Sequence, residues 1–299
     1  MPRHAYATLL TSDSFYPGVE ALLKSLERVG ARDPLILLYT ASVSRSTIHA
    51  LCHTRQGARS NRLSPRTACP SVGTSSDKGS FSEGRHSSVA SQHDTAVDKP
   101  CQSIAVIPRE VAEIPHPQAE KCQVPDWNTC FTKLRVWEQG DFDCIVYLDA
   151  DTIVLQRIDE LFLRQPLPAF APDVFPPDKF NAGVIVLKPD RQLFQQMLSR
   201  VPDLPSHDGG DTGFLNSFFS GWYEGPAGQR LPFRYNALRT VFHITYRGQT
   251  GYWDSVRPIK VLHYCSSPKP WQENSPQTKL EKLWWDVFTG VGPTDSGLI

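Results

Sequence analysis

The chain has no apolar run long enough to cross a bilayer. Its longest, residues 35–39 and 182–187, fall far short of the ~20 residues a membrane-spanning helix needs. There is no excess of either charge, with 31 basic residues against 31 acidic in 299, and no basic stretch is interleaved with aromatics. That balance argues against nucleic acid and anionic membrane surfaces as partners. The seven cysteines show no Cys-x-x-Cys spacing, so neither a disulfide framework nor a zinc site is expected. Residues 1–16 lack a signal-type apolar core because Thr11, Ser12 and Asp13 interrupt it. No internal repeat is visible. A cytoplasmic protein without a transmembrane segment is the expectation.

The hydrophobic content of 40% supports a substantial core. Residues 6–10 form an apolar run. Val19, Leu22, Leu23, Leu26 and Val29 then recur at helical spacing and stop at Gly30, before a second apolar run at 35–39 and a short helical pattern at 44–51. This alternation predicts an α/β fold with a mostly parallel central sheet covered by helices, and 299 residues suffice for one large or two ordinary domains. The pattern fails between Cys52 and Ser103, where the large apolar residues are Leu63, Val72, Phe81, Val89 and Val97 alone. So little apolar surface does not offset the entropy of ordering. Residues 52–103 are therefore expected to be a disordered low-complexity insertion, an add-on whose deletion leaves the fold and activity intact. Order resumes at Ile104. A helix is expected from an Asn128 N-cap through Cys130, Phe131, Leu134 and Trp137 to Gly140. Strands follow at 184–187 and 260–264, helices at 193–198 and 214–219, and a closing amphipathic helix at 280–288 that packs Trp284 and Trp285 on the domain.

Chemistry concentrates in a few motifs. The run Cys144-Ile145-Val146-Tyr147-Leu148 leads straight into Asp149-Ala150-Asp151. An apolar run of this kind reads as a buried strand, and its carboxyl end is where α/β sheets bind ligands. On an extended backbone, carboxylates at i and i+2 point to one side, and hard oxygen ligands suit Mg²⁺ or Mn²⁺ with a substrate phosphate. The competing interpretation has Asp149 capping the strand's exit turn and Asp151 capping a helix near residues 158–162. Asn181-Ala182-Gly183 precedes an apolar strand and allows close backbone approach to a ligand, or is an ordinary turn. Asp208-Gly209-Gly210-Asp211 precedes a helix, with Asp211 either its N-cap or a site residue. His263 follows a strand and sits shortly before Lys269, locked between Pro268 and Pro270; it offers a metal-ligand nitrogen and a phosphate-pairing ammonium in one loop.

In this order, together with Thr8-Leu9-Leu10-Thr11-Ser12-Asp13, Thr132-Lys133-Leu134-Arg135-Val136-Trp137 and Leu231-Pro232-Phe233-Arg234-Tyr235-Asn236, these motifs resemble the glycogenin-like family 8 of retaining glycosyltransferases. The resemblance runs from Tyr6 to about Trp271, apart from 52–103. It implies a GT-A nucleotide-sugar transferase fold whose catalytic domain occupies 1–51 and 104–275, with a C-terminal helix and tail at 276–299. It implies a UDP-sugar donor, UDP-glucose foremost, and a sugar, polyol, lipid or protein-hydroxyl acceptor; a homodimer is compatible with it. Carried over by position, Leu9, Leu10, Ser12 and Phe15 line the uridine pocket. Asp149, Asp151 and His263 hold Mn²⁺ or Mg²⁺, and the Ala150 backbone lies near the ribose. Lys133, Asn181, Ala182 and Asp211 contact the donor sugar, with Gly183 beside them and Lys133 and Asp211 as the catalytic pair. Ser266 and Lys269 touch the diphosphate.

Departures from the pattern are Thr212 for a glutamine, Ser266 for a glycine and Phe15 for a tyrosine. Tyr246 lies near the place of the family's self-modified tyrosine. The Gly-Gly-Asp-Thr-Gly and Ser-Ser-Pro-Lys-Pro-Trp variants look closer to the plant, algal and fungal branches, which include glucuronosyltransferase-like members and galactinol synthases. UDP-glucuronate and UDP-galactose are therefore alternative donors. The rival classes are a HAD-type phosphatase, which also ends a strand in Asp-x-Asp, and a non-catalytic relative that binds the sugar nucleotide.

Overall fold

The computed structural model describes residues 2–53, 103–119, 125–174, 176, 178–245 and 251–291. The insertion expected at 52–103 falls outside them except at its ends, and Tyr246 also lies outside. Cys52 and His53 belong to the preceding helix, so that helix runs two residues past the expected boundary.

Six strands make the main sheet, in the order β3 (Val106–Glu110), β2 (Leu35–Tyr39), β1 (His4–Leu10), β4 (Cys144–Leu148), β7 (Phe180–Leu187) and β6 (Ala169–Pro172). The first four are mutually parallel, in register with Tyr6 opposite both Leu35 and Val146. β7 runs antiparallel to β4 and to β6. The sheet is therefore mostly parallel, as expected. A second sheet joins β5 (Thr152–Val154), β9 (Val261–His263) and β8 (Ala237–Leu238).

Period-two alternation sends Tyr6, Leu10, Leu35, Leu37, Val146 and Leu148 to one face, where helix α1 (Tyr16–Arg28) packs with Val19, Leu22, Leu23 and Leu26. Ala5, Ala7, Ile36, Leu38, Ile145 and Tyr147 go to the other face, against Phe131, Leu134, Trp137, Phe194 and Phe214. Gly30 ends α1 with φ +71°, and the Ala31 N–H returns to the Leu26 carbonyl at 3.0 Å, a left-handed stop that favours glycine. Helix α2 (Arg45–His53) follows β2.

The segment expected as an α-helix from Asn128 is instead a 3-10 stretch, Pro125–Glu138. Asn128 lies inside it rather than at its cap. The reason is visible in the spacing: Phe131, Leu134 and Trp137 are three apart and all buried, which suits three residues per turn. Helix α3 (Arg191–Arg200) is capped by Asp190, which accepts from Gln192 N and Leu193 N. Helix α4 is Asp211–Phe218, α5 Arg239–Thr245, α6 Tyr252–Ser255 and α7 Lys279–Thr289. In α7 Trp284 is fully buried, as expected, whereas Trp285, expected to pack beside it, is 38% exposed. The strand order changes direction between β1 and β4, so the carboxyl ends of these two strands border the crevice where α/β sheets bind ligands.

Candidate active site

At the end of β4 the chain turns through Asp149-Ala150-Asp151 and re-emerges as β5 in the second sheet. The two aspartates thus converge through a turn, not through an extended strand. The Asp149 N–H donates to the Gly183 carbonyl and the Tyr264 N–H to the Asp151 carbonyl, both at 2.9 Å. Asp151 does not cap the next helical turn, Asp159–Leu163, whose N-cap is Ile158. Its carboxylate meets Lys269 Nζ at 2.5 Å and His263 Nε2 at 3.1 Å. Burial opposes ionisation of Asp151, but the Lys269 ammonium beside it outweighs this and holds the carboxyl far below the usual carboxylate range.

His263 closes β9, opposite Thr152. Ligand atoms of Asp149, Asp151 and His263 all lie within 4.8 Å of one another. The histidine tautomer follows from its neighbours. Asn181 Oδ1 accepts from the Gly183 N–H at 2.9 Å and from Asn236 Nδ2 at 2.9 Å. That leaves Asn236 Oδ1 facing His263 Nδ1 at 2.9 Å, so Nδ1 carries the proton and donates. The Nε2 lone pair then points at the two carboxylates, an arrangement that a bridging cation satisfies. Two carboxylates and an imidazole suit a small divalent ion that keeps positions open for substrate oxygens.

Lys133 reaches the same spot from the 3-10 segment. Its Nζ lies 3.0 Å from Asp149 Oδ1 and 2.5 Å from Asp211 Oδ2, and it donates to the Ala182 carbonyl at 3.2 Å. Burial pulls the ammonium down, but Asp149 and Asp211 together lift it above the usual lysine value. Burial also raises the Asp211 carboxyl against the pull of Lys133. Asp211 is not the cap of α4: the N-cap is Gly210. Asp208 Oδ1 takes the helix-start N–H groups of Gly210 and Gly213, both at 2.9 Å. Capping is thus delegated to Asp208, and Asp211 is left to face Lys133.

Asn181-Ala182-Gly183 lies within β7 rather than ahead of it. A Cβ on Gly183 would fall 2.2 Å from His263 Cε1, so the histidine occupies the space that glycine vacates. The Ala182 N–H donates to Thr212 Oγ1 at 3.2 Å, which gives the glutamine-to-threonine departure a backbone-holding role.

These groups line one cavity of about 380 Å³. It brings together Leu9, Phe15, Lys133, Asp149, Ala150, Asp151, Asn181, Asp211, His263, Ser266 and Lys269 of the expected set. Four expected residues do not line it. The Leu10 side chain turns into the core beneath α1 because β1 alternates faces, and Ser12 caps the 3-10 turn Asp13–Phe15. Ala182 and Gly183 contribute backbone and space. Sequence reasoning missed Asn236, whose role depends on β8 pairing with β9. It missed Tyr147 as a lining residue too, though its hydroxyl donates to Asp149 Oδ1 at 3.0 Å. Thr11, Thr129 and Cys130 line the cavity as well; only proximity in the fold reveals them.

Residues 169–275 match the profile described as Glycosyl transferase family 8. That stretch, from β6 to the loop after β9, carries the family 8 match and forms part of each of the two sheets. The glycogenin-like resemblance is likewise borne out. Glycogenin-1 of Mus musculus is 37% identical over 181 residues, 55% of this chain and 53% of that protein. UDP-glucuronate:xylan alpha-glucuronosyltransferase 1 of Arabidopsis thaliana is 32% identical over 168 residues, 54% of this chain and 24% of that protein. The chain spans about half the length, or less, of the curated relatives it matches. Among solved structures, the apo glycosyltransferase GlyE of Streptococcus pneumoniae superimposes with a TM-score of 0.60 at 18% identity, over 96% of this chain and 60% of that one. The galactosyltransferase LgtC, solved with donor and acceptor sugar analogues, gives 0.59 at 16% identity, over 99% and 100%. The family 8 stretch thus sits in a GT-A fold.

Proposed function

We propose that this chain is a retaining glycosyltransferase that moves a hexosyl group from a UDP-sugar, UDP-glucose foremost, to a hydroxyl acceptor. One observation carries the reading: the Asp149–Asp151–His263 group and the Lys133–Asp211 pair converge in a single cavity at the sheet's switch point. Asp149, Asp151 and His263 would hold Mn²⁺ or Mg²⁺, which supplies positive charge against a departing diphosphate. Lys269, beside Asp151, adds an ammonium on the same side. Lys133, Asp211 and Asn181 would orient the sugar hydroxyls, so that the acceptor hydroxyl lies near the anomeric carbon.

The charge count favours a neutral hexose over glucuronate. On the sugar side, the Lys133 ammonium already faces the Asp211 carboxylate at 2.5 Å, so a uronate carboxylate there would meet a paired lysine and a like charge. UDP-galactose shares the neutral chemistry of UDP-glucose and stays the alternative donor. A phosphatase of the Asp-x-Asp type needs a further acidic pair on a late strand; here Asp211 instead opens a helix and faces a lysine. A non-catalytic binder has no need of the complete ligand set with its lysine–aspartate pair.

No helix among the described residues is long and apolar enough to cross a membrane. Among the described residues, Cys52, Cys130, Cys144 and Cys265 are unpaired. A homodimer is tested by light scattering. The deciding experiment is UDP release by purified protein across a panel of UDP-sugars, with Mn²⁺ and then with EDTA, alongside mass spectrometry of the protein. Metal-dependent release with one neutral hexose donor is expected. No release with any donor from a folded protein would overturn the reading, and an added hexose mass would identify the protein itself as acceptor.

A further inference from the structure

Arg239, at the start of α5, is 2% exposed, and its partner Glu281, in α7, is fully buried. The guanidinium Nη1 donates to Glu281 Oε1 at 3.0 Å. Its Nε and Nη2 donors go to one loop. Nε and Nη2 reach Ser266 Oγ at 3.2 and 2.7 Å, and Nη2 also reaches the Ser266 carbonyl at 2.7 Å and the Pro268 carbonyl at 3.0 Å. Glu281 is fixed in turn by Thr278, the N-cap of α7, which donates to its second carboxylate oxygen. A Thr-x-x-Glu pair normally satisfies its own helix start; here the glutamate is turned toward the arginine.

Ser266, Ser267 and Lys269 line the cavity, whereas Arg239 does not. The carbonyl oxygens of Ser266 and Pro268 are therefore drawn to a buried cation behind the loop, away from the cavity. Two contacts from Arg239 occupy the acceptor side of the Ser266 hydroxyl, so its single proton must be donated elsewhere. With the Ser266 and Pro268 carbonyls turned to Arg239, and with Ser266 and Lys269 among the residues that line the cavity, the loop is organised for an anion.

We propose that Arg239, backed by Glu281, is the positioning residue for the diphosphate-binding turn Ser266–Lys269, and that Ser266 donates its hydroxyl to the diphosphate. The proposal rests on the nucleotide-sugar reading above. It makes the serine at the family's glycine position and the buried arginine one device: Arg239 supplies the orientation that the hydroxyl needs.

The test compares binding of UDP with Mn²⁺, by isothermal titration, with binding of uridine, by saturation-transfer NMR. The proteins are the parent, Arg239→Lys, Ser266→Ala and the double variant. Arg239→Lys is expected to weaken UDP about tenfold or more and Ser266→Ala about fivefold, with uridine unchanged in both, because only the phosphates meet the turn. In the double variant the losses should fall short of multiplying, since each removes the same contact. Equal weakening of UDP and uridine would mark Arg239 as merely structural and overturn the proposal. If Arg239→Lys does not fold, Ser266→Ala decides alone, and an unchanged UDP affinity overturns it. A parent protein that binds no UDP would instead sink the nucleotide-sugar reading itself.

Discussion

Gly183→Ala would place a methyl carbon 2.2 Å from His263 Cε1 and 2.4 Å from Nδ1, where non-bonded carbons need ~3.5 Å. One of the two must therefore shift by about 1 Å or more. β7 is held on both sides, by β4 and by β6 within the six-stranded sheet. His263 is a side chain on a short strand of the smaller sheet, so the ring is what moves. Metal–nitrogen bonds tolerate only about 0.2 Å, so the displacement would remove one of the three proposed protein ligands. Affinity for Mn²⁺ should fall about 10–100-fold or more, the range seen when even supporting groups are lost. Isothermal titration of Mn²⁺ into the parent and the variant, with folding checked by circular dichroism, reads this directly. A variant that is folded and binds Mn²⁺ within about twofold of the parent would refute the claim that His263 fills the glycine's space as a ligand.

Asn236→Leu removes the acceptor that orients His263 Nδ1–H and should cost about tenfold in Mn²⁺ affinity, whereas Asn236→Asp, which keeps an oxygen there, should recover most of it; equal losses in both would contradict the tautomer assignment. Lys133→Met leaves Asp149 and Asp211 facing each other without their shared cation, and chemical denaturation should show a loss of about 3 kcal/mol. An unchanged midpoint would mean that the pair is already screened. The same variant should lose donor-sugar turnover while keeping UDP binding within a few-fold, because the proposed function puts Lys133 on the sugar side.

Much of the scaffold was legible because apolar period and punctuation agree with the fold. α1 ends at Gly30, β2 spans residues 35–39 as read, and the run 144–148 is a buried strand. The candidate metal-ligand group was legible in part: Asp149 and Asp151 stand out at the end of an apolar run, and His263 at the end of a short strand. Lys133 could not be picked from local pattern, since a lysine in a half-apolar segment reads like any snorkelling side chain; only the family resemblance marked it. Where local rules misled, a nearby group had taken over the local task. Asp208 caps α4, which frees Asp211, and the three-residue spacing of Phe131, Leu134 and Trp137 fits a 3-10 segment as well as an α-helix. Asn236 was hidden for another reason: its partner is 27 residues away, brought near by strand pairing that no short window contains.

The turn Asp149-Ala150-Asp151 is where the chain leaves one sheet for the other, and its two carboxylates are anchored on different sides. The Asp149 backbone is tied to β7 of the large sheet, and that of Asp151 to Tyr264, just past β9 of the small one. The gap between the two carboxylates is consequently a gauge of how the sheets sit against each other. Magnesium demands a tight, near-ideal shell, while calcium accepts a wider and more variable one. Ion preference would thus report sheet placement from the inside. A packing change far from the cavity, in the core beneath α7 for instance, would register first as altered discrimination among cations, before any catalytic side chain had been touched.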